Sequence, residues 1–473
     1  MSLIIKSYIY LSSTRICLSI NDSDNLAERH SMNNQAHSFK TSIADITGII
    51  HDGLIKASNI RYARSERYGL PVACHPDDNC PDKTPVCPQN IRPLLEKMIE
   101  VTHIDNFQVE ESTQYLSIAR PEKIREGDKL PVIVWIHGGS YEVGCGDLPT
   151  TNPSTWVKEQ DIIVVSVSYR LGLFGFLGNG TDRPANLGLL DIIEALHWVK
   201  KNIDSFGGDA NNITLFGQSS GGDAVAHLMI SDGVEGLFHR VIIQSAPLGL
   251  RHNRKKMSSE FVKKTEVIKD ETDVMKMSSD YKKYVPSIVK YGLKAGMPFG
   301  LQYGFAPLCK EKEVLNKWRE NAKKYDVLIG MNNDETAFFL GASELINKYA
   351  SKGVGKKIIQ SSIRSTTEKI YGKPAKIFAQ NYAKAGGNVY LFRIHSGLED
   401  NQMGAAHCID LPLIFGNESA WKEAGLLKDI PWTYIHEMGK GIRRVWADFA
   451  RTGKIGEHKM PEILDLKKII TNP

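Results

Sequence analysis

Several absences narrow the possibilities before any motif is read. No stretch reaches the roughly 18 apolar residues that a membrane-spanning helix needs. No internal repeat or low-complexity tract interrupts the chain. Cysteines number seven, an odd count scattered at positions 17, 74, 80, 87, 145, 309 and 408, so the chain is not a disulfide framework. Charge of one sign is also scarce. The 59 Lys and Arg against 54 Asp and Glu leave +5 over 473 residues, too little for a nucleic-acid surface.

What remains is an ordinary globular composition, 42% hydrophobic and 24% charged. A chain this long buries a core without metal or disulfide staples. Cys74, Cys80 and Cys87 with His75 could be imagined around a metal, but zinc sites use more closely spaced cysteine pairs. Free thiols in a reducing cytosol account for them better, which favours a cytoplasmic over a secreted protein. The amino terminus has Lys6 ahead of apolar residues, as a secretion signal would. However, Arg15 breaks the apolar stretch and no small-residue cleavage site follows. Residues 1–40 therefore read as a loosely ordered leader, and residues 41–473 as a single domain.

Short, β-branched, nearly continuous apolar runs recur along the chain: Val132-Ile-Val-Trp-Ile136, Ile162-Ile-Val-Val-Ser-Val167, Ile213-Thr-Leu-Phe216, Val241-Ile-Ile-Gln244, Val327-Leu-Ile-Gly330 and Val389-Tyr-Leu-Phe392. Runs apolar on both faces suit strands buried between two helix layers. Between them, residues 187–201 carry apolar side chains at helical spacing and a basic last turn. The alternation predicts an α/β fold with a mostly parallel sheet and helices on both faces. Ligands of such sheets bind beyond the carboxyl ends of the strands.

Those ends carry the chemistry. The run 213–216 enters Gly217-Gln-Ser-Ser-Gly221 and then a helix-like stretch, residues 223–230. A serine between two glycines on a sharp strand-to-helix turn is pushed into the cleft, which makes Ser219 a candidate nucleophile. A hydroxyl is a weak nucleophile at neutral pH and needs a base. Upstream, His137-Gly-Gly-Ser-Tyr141 follows another strand, and its small residues let backbone N–H groups approach a carbonyl oxygen. Gly139 and Ser140, with Ser220 after the nucleophile, are candidate oxyanion donors. His137 reads as part of that loop's scaffold. For an acid, Asp334 and Glu335 stand side by side after a strand, and the residues alone do not choose between them. For a base, His395 ends a strand-like run, whereas His407 sits in a Gly/Ala-rich loop with freedom to reach Ser219.

With these motifs the chain resembles the type-B carboxylesterase (cholinesterase-like) family of α/β-hydrolases, including the bacterial para-nitrobenzyl esterases. The resemblance runs over residues 49–453. It rests on the His-Gly-Gly loop, Ser168-Tyr-Arg-Leu-Gly-Leu-Phe-Gly-Phe176, Asn202-Ile-Asp-Ser-Phe-Gly-Gly-Asp209, the Ser219 turn and Gln244-Ser-Ala246. Asn333-Asp-Glu335 and Gly404-Ala-Ala-His-Cys-Ile-Asp-Leu-Pro-Leu-Ile-Phe-Gly416 complete it. It implies a serine ester hydrolase with neither metal nor organic cofactor, a small-molecule ester as substrate, Glu335 as the catalytic acid and His407 as the base. It also implies a helical lid, here residues 247–306.

The family's early disulfide would join Cys87 to a position that reads Thr113 here, so the bridge is not expected. Gln218 stands where Glu is commoner, which removes a negative charge beside the triad and lessens any preference for cationic substrates. Ser245 is a candidate hydrogen-bonding group behind the triad, or else a strand serine satisfied by backbone. Two rival readings remain: an inactive binding or adhesion protein on the same fold, and an amidase, lactonase or acyl transferase using the same site. The charged run at residues 251–283 interleaves both signs and reads as a solvated helical cap.

Overall fold

The computed structural model describes residues 35–74, 81, 83–99, 107–340, 353–395, 403–428, 430–457, 460 and 462–470. Its centre is an 11-stranded sheet. In chain order the strands are β1 (Ala36–Lys40), β2 (Asp45–His51), β3 (Leu54–Arg61), β4 (Tyr115–Pro121), β5 (Leu130–Ile136), β6 (Ile163–Val167), β7 (Gly208–Gln218), β8 (Arg240–Gln244), β9 (Asp326–Asn332), β10 (Val389–Ile394) and β11 (Leu464–Lys468). Their spatial order is β1-β2-β3-β4-β6-β5-β7-β8-β9-β10-β11. The run from β6 to β10 is parallel, and the flanks are antiparallel. The α/β architecture with a largely parallel sheet that the strand pattern predicts is therefore present.

Period-two alternation explains why the central strands looked continuously apolar. In β5, Val132, Val134 and Ile136 enter one core, whereas Ile133 and Trp135 enter the other. Helix α1 (Ser154–Gln160) covers the second face, while α2 (Leu187–Asn202) and α3 (Ser220–Leu228) cover the first. The segment 247–306 folds into helical turns around α4 (Lys255–Thr265), whose Met257 and Phe261 join the first core. Its charges pair locally, Lys269 with Glu266 at 2.6 Å and Lys283 with Asp280 at 2.8 Å. Two later helices, α5 (Asp410–Phe415) and α6 (Trp432–Thr452), complete the second layer. Among the described residues no helix is long and apolar enough to cross a membrane.

Of the leader, residues 1–34 lie outside the described residues, as do Cys80 and His75. Its last residues depart from the expectation: Ala36–Lys40 form the edge strand β1, paired antiparallel with β2, and Phe39 is buried. Cys87 is a buried free thiol, and Thr113 is buried as well. Among the described residues no cluster of His, Cys, Asp and Glu could hold a metal ion.

The strand order fixes where a ligand can go. From β5 the chain crosses through α1 to β6 on one side; from β6 it returns through α2 to β7 on the other side of β5. The carboxyl ends of β5 and β7 thus flank the point where the winding reverses, the usual crevice of open parallel sheets.

Candidate active site

Ser219 occupies the turn at that crevice. Strand β7 ends at Gln218 and α3 begins at Ser220, leaving Ser219 alone between them at φ 57° and ψ −125°. A side chain at positive φ is strained, and such strain persists only where the surroundings impose it. Here they do. The Ser219 N–H donates to Gln244 O at 2.9 Å, and Ser219 O accepts from Asp223 N–H at 3.0 Å. Gly221 allows the closure: a β-carbon there would lie 2.0 Å from Ile136 O. The positive end of α3 lies beneath the serine.

Two later segments converge on it. Glu335 follows β9 and His407 precedes α5. The His407 Nδ1–H donates to Glu335 Oε2, so Nε2 is free to accept the Ser219 hydroxyl at 2.9 Å. Glu335 is 0% exposed, and its Oε1 accepts the Asn332 N–H at 2.7 Å. The loops are also tied by backbone, His407 N–H donating to Glu335 O at 3.1 Å. The alternatives face elsewhere. Asp334 Oδ2 accepts from Ala405 N–H at 3.2 Å, and His395 Nε2 meets Asp465 at 2.9 Å near the surface.

The loop after β5 closes the other side. A β-carbon on Gly138 would lie 3.0 Å from Ser219 Cβ, so this loop packs directly on the serine. Gly139 has φ +106°, and both Ser140 and Tyr141 are left-handed. The Tyr141 N–H donates to Ser220 Oγ at 3.2 Å, stitching the loop to α3. His137 stacks on Tyr169 with ring centroids 4.4 Å apart and a 17° interplanar angle. Burial pushes its pKa down to about 4, so it is a neutral scaffold ring.

Gln218 extends its amide towards the site, with Nε2 3.5 Å from His407 Nε2 and 3.6 Å from Cys408 Sγ. The Ser245 hydroxyl is buried with no hydrogen-bond partner among the described residues, while its backbone N–H donates to Gly330 O at 2.8 Å. It is therefore neither linked to His407 nor satisfied by backbone. Phe339 and Tyr371 wall the imidazole, their centroids 5.7 and 5.5 Å from that of His407.

A buried polar layer behind Glu335 was not anticipated. Asn332 Nδ2 donates to Asp410 Oδ1 at 2.8 Å, Gln244 Nε2 donates to Asp410 Oδ2, and Trp446 Nε1 donates to Gln244 Oε1 at 3.0 Å. Burial, and then the nearby charge of Glu335, push the Asp410 carboxyl up to about 6. The available signal was an acidic residue inside the otherwise apolar stretch 408–415.

Comparison with known proteins agrees with this architecture. A sequence model of the Carboxylesterase family matches residues 58–346. A probable N-octanoylanthranilate hydrolase of Rhodococcus erythropolis is 32% identical over 420 residues, covering 85% of this chain and 90% of that protein. The para-nitrobenzyl esterase of Bacillus subtilis is 26% identical over 448 residues, covering 87% and 89%. A solved thermophilic PNB esterase superposes with a TM-score of 0.73 at 23% identity, covering 91% of this chain and 97% of that one. The chain belongs to the carboxylesterase family and is a carboxylic ester hydrolase of the α/β-hydrolase fold.

Proposed function

We propose that hydrolysis proceeds through an acyl-enzyme on Ser219. His407 takes the hydroxyl proton as Ser219 attacks the ester carbonyl, then gives that proton to the departing alcohol. Glu335 holds the imidazole in the tautomer with Nδ1–H and balances the positive ring. The N–H groups of Gly139, Ser140 and Ser220 stabilise the oxyanion. Water then attacks the acyl carbon as His407 takes its proton; the Ser219 ester bond breaks, His407 returns that proton to Ser219 Oγ, and the acid leaves. The single observation that supports this reading is the hydrogen-bonded chain Ser219–His407–Glu335, formed by three distant segments at the winding reversal of the sheet. The helical turns of residues 247–306 act as the lid that shapes the acyl side of the pocket.

Ser219→Ala is expected to lower hydrolysis of a short-chain p-nitrophenyl ester by about 10³-fold or more. Labelling of the folded protein by a fluorophosphonate probe, absent in that variant, separates this enzyme from an inert binding protein on the same scaffold. Unchanged turnover by Ser219→Ala would end the proposal. A second reading, cleavage of amides at the same serine, draws on the relative named as a probable N-octanoylanthranilate hydrolase, whose name denotes an N-acyl compound. Parallel assays on an ester and an anilide of the same acid test it.

A further inference from the structure

The segments Gly353–Thr367, Glu368–Gly372 and Lys373–Lys384 run on as one surface helix of about 48 Å, with a π turn in its middle. Its inner side carries Thr367, Tyr371, Phe378 and Tyr382, all buried. That side meets the candidate site. Tyr371 walls His407, and the Thr366 hydroxyl shares a hydrogen bond of 2.7 Å with that of Thr336, the residue after Glu335.

The outer side is basic. Val354, Lys357, Ile358, Ser361 and Arg364 are exposed along its first half. Lys369, Lys373, Lys376, Ile377 and Lys384 continue the stripe at helical spacing. Residues 353–384 hold seven Lys and Arg against one acid, a charge of +6, while the whole chain carries +5, so all other residues together sum to −1. The one acid, Glu368, pairs with Arg393 at 2.6 Å. Among the described residues none of the seven cations of the stripe is paired with a carboxylate. A solvated helix face ordinarily interleaves both signs, as residues 251–283 do. Here Lys369, Lys373 and Lys376 stand four and three apart, where like charges repel. Aliphatic side chains share the stripe. Val354, Ile358 and Ile377 are 74%, 61% and 55% exposed, three of the eight large apolar residues left exposed among those described.

We propose that this stripe docks the protein on the surface of an anionic phospholipid bilayer. The lysines lie over the headgroups, and the three aliphatic side chains dip into the acyl boundary. A nucleic acid would also meet the charge, but it offers nothing to exposed valine and isoleucine, which favours the bilayer. Docking needs no turnover, so the inference stands apart from the Ser219 acyl-enzyme reading. In this orientation His407 lies about one helix diameter, roughly 10 Å, behind the lipid surface.

The test is co-sedimentation of the full chain with sucrose-loaded vesicles at about 0.1 M salt. The protein is expected to sediment with phosphatidylcholine vesicles containing about 30% phosphatidylserine, and not with phosphatidylcholine alone. Lys357→Gln with Lys373→Gln and Lys376→Gln should lower partitioning about 100-fold, with turnover of a soluble p-nitrophenyl ester unchanged. Where that triple variant does not fold, Lys373→Gln alone should give about a fivefold loss. Ile358→Ser with Ile377→Ser should weaken binding about tenfold at unaltered charge. Lys123→Gln, Arg125→Gln and Lys201→Gln, exposed elsewhere on the chain, remove the same net charge and should leave most of the binding in place. No sedimentation with the anionic vesicles overturns the inference. So does an equal loss in the two triple variants, which would make binding a matter of net charge. Vesicle binding unmoved by the serine substitutions, with equal affinity for duplex DNA at the same salt, assigns the stripe to a polyphosphate and overturns it as well.

Discussion

Glu335 uses its two oxygens for different tasks, Oε1 for the Asn332 N–H and Oε2 for His407, and it does so with no exposure to solvent. An amide in its place keeps the volume but loses the charge that, in the proposed mechanism, balances the protonated ring. Glu335→Gln is thus expected to reduce kcat by about 10³- to 10⁴-fold with the fold intact, read by steady-state kinetics alongside circular dichroism. Asp410 behaves differently. Its folded pKa, about 6, is raised above the 3.8 expected of an ordinary Asp, so it disfavours the folded state once ionised. Below about pH 4 it is neutral in both states and no penalty applies; the penalty grows as pH rises to about 6 and is then constant. Denaturant titrations should therefore show Asp410→Asn gaining on the parent between pH 4 and 6, by up to about 3 kcal/mol. A pH-independent difference would refute this. The sequence could not rank Asp334 against Glu335, because adjacent carboxylates after a strand differ only in the direction each faces. The Asp410 layer was hidden for a related reason: its partners, Asn332 and Gln244, end two different strands.

At the level of elements, the turn at Ser219 was readable because its glycines and flanking strand declare it. The helix start was not: α3 begins at Ser220 rather than 223, since Ser219 itself terminates the strand and small residues at 220–222 carry little helical signal. The central strands were legible because both faces are apolar. By contrast, β1 buries only Phe39 of its five residues, too little periodicity to separate it from a leader. The packing at the turn leaves no latitude. Gly221→Ala would drive a methyl group into Ile136 O, and is expected to destabilise the protein by about 3 kcal/mol or more, or to abolish soluble expression. Thermal unfolding of any recovered protein measures it.

Across the whole molecule, each core layer carries an ion pair built on a buried arginine. On the first face Arg170 Nη2 meets Asp191 Oδ1 at 2.7 Å, with exposures of 2% and 0%. On the second, Arg443 of α6 meets Glu159 of α1 at 2.6 Å. Asp191→Ala strands a guanidinium in the interior and is expected to cost about 3–5 kcal/mol, whereas adding Arg170→Met should recover much of it, both read by chemical denaturation. Neither pair was evident beforehand, because each links segments whose proximity only the sheet order creates. That same order has a temporal meaning. The partners Ser219 and His407 are 188 residues apart in the chain, and His407 is held by segments that join the molecule last. Under the proposed mechanism, a ribosome-bound chain lacking residues beyond 400 would already carry Ser219 but not its base, and would be inert. Cleavage activity therefore reports that synthesis and docking of the carboxyl-terminal layer are complete.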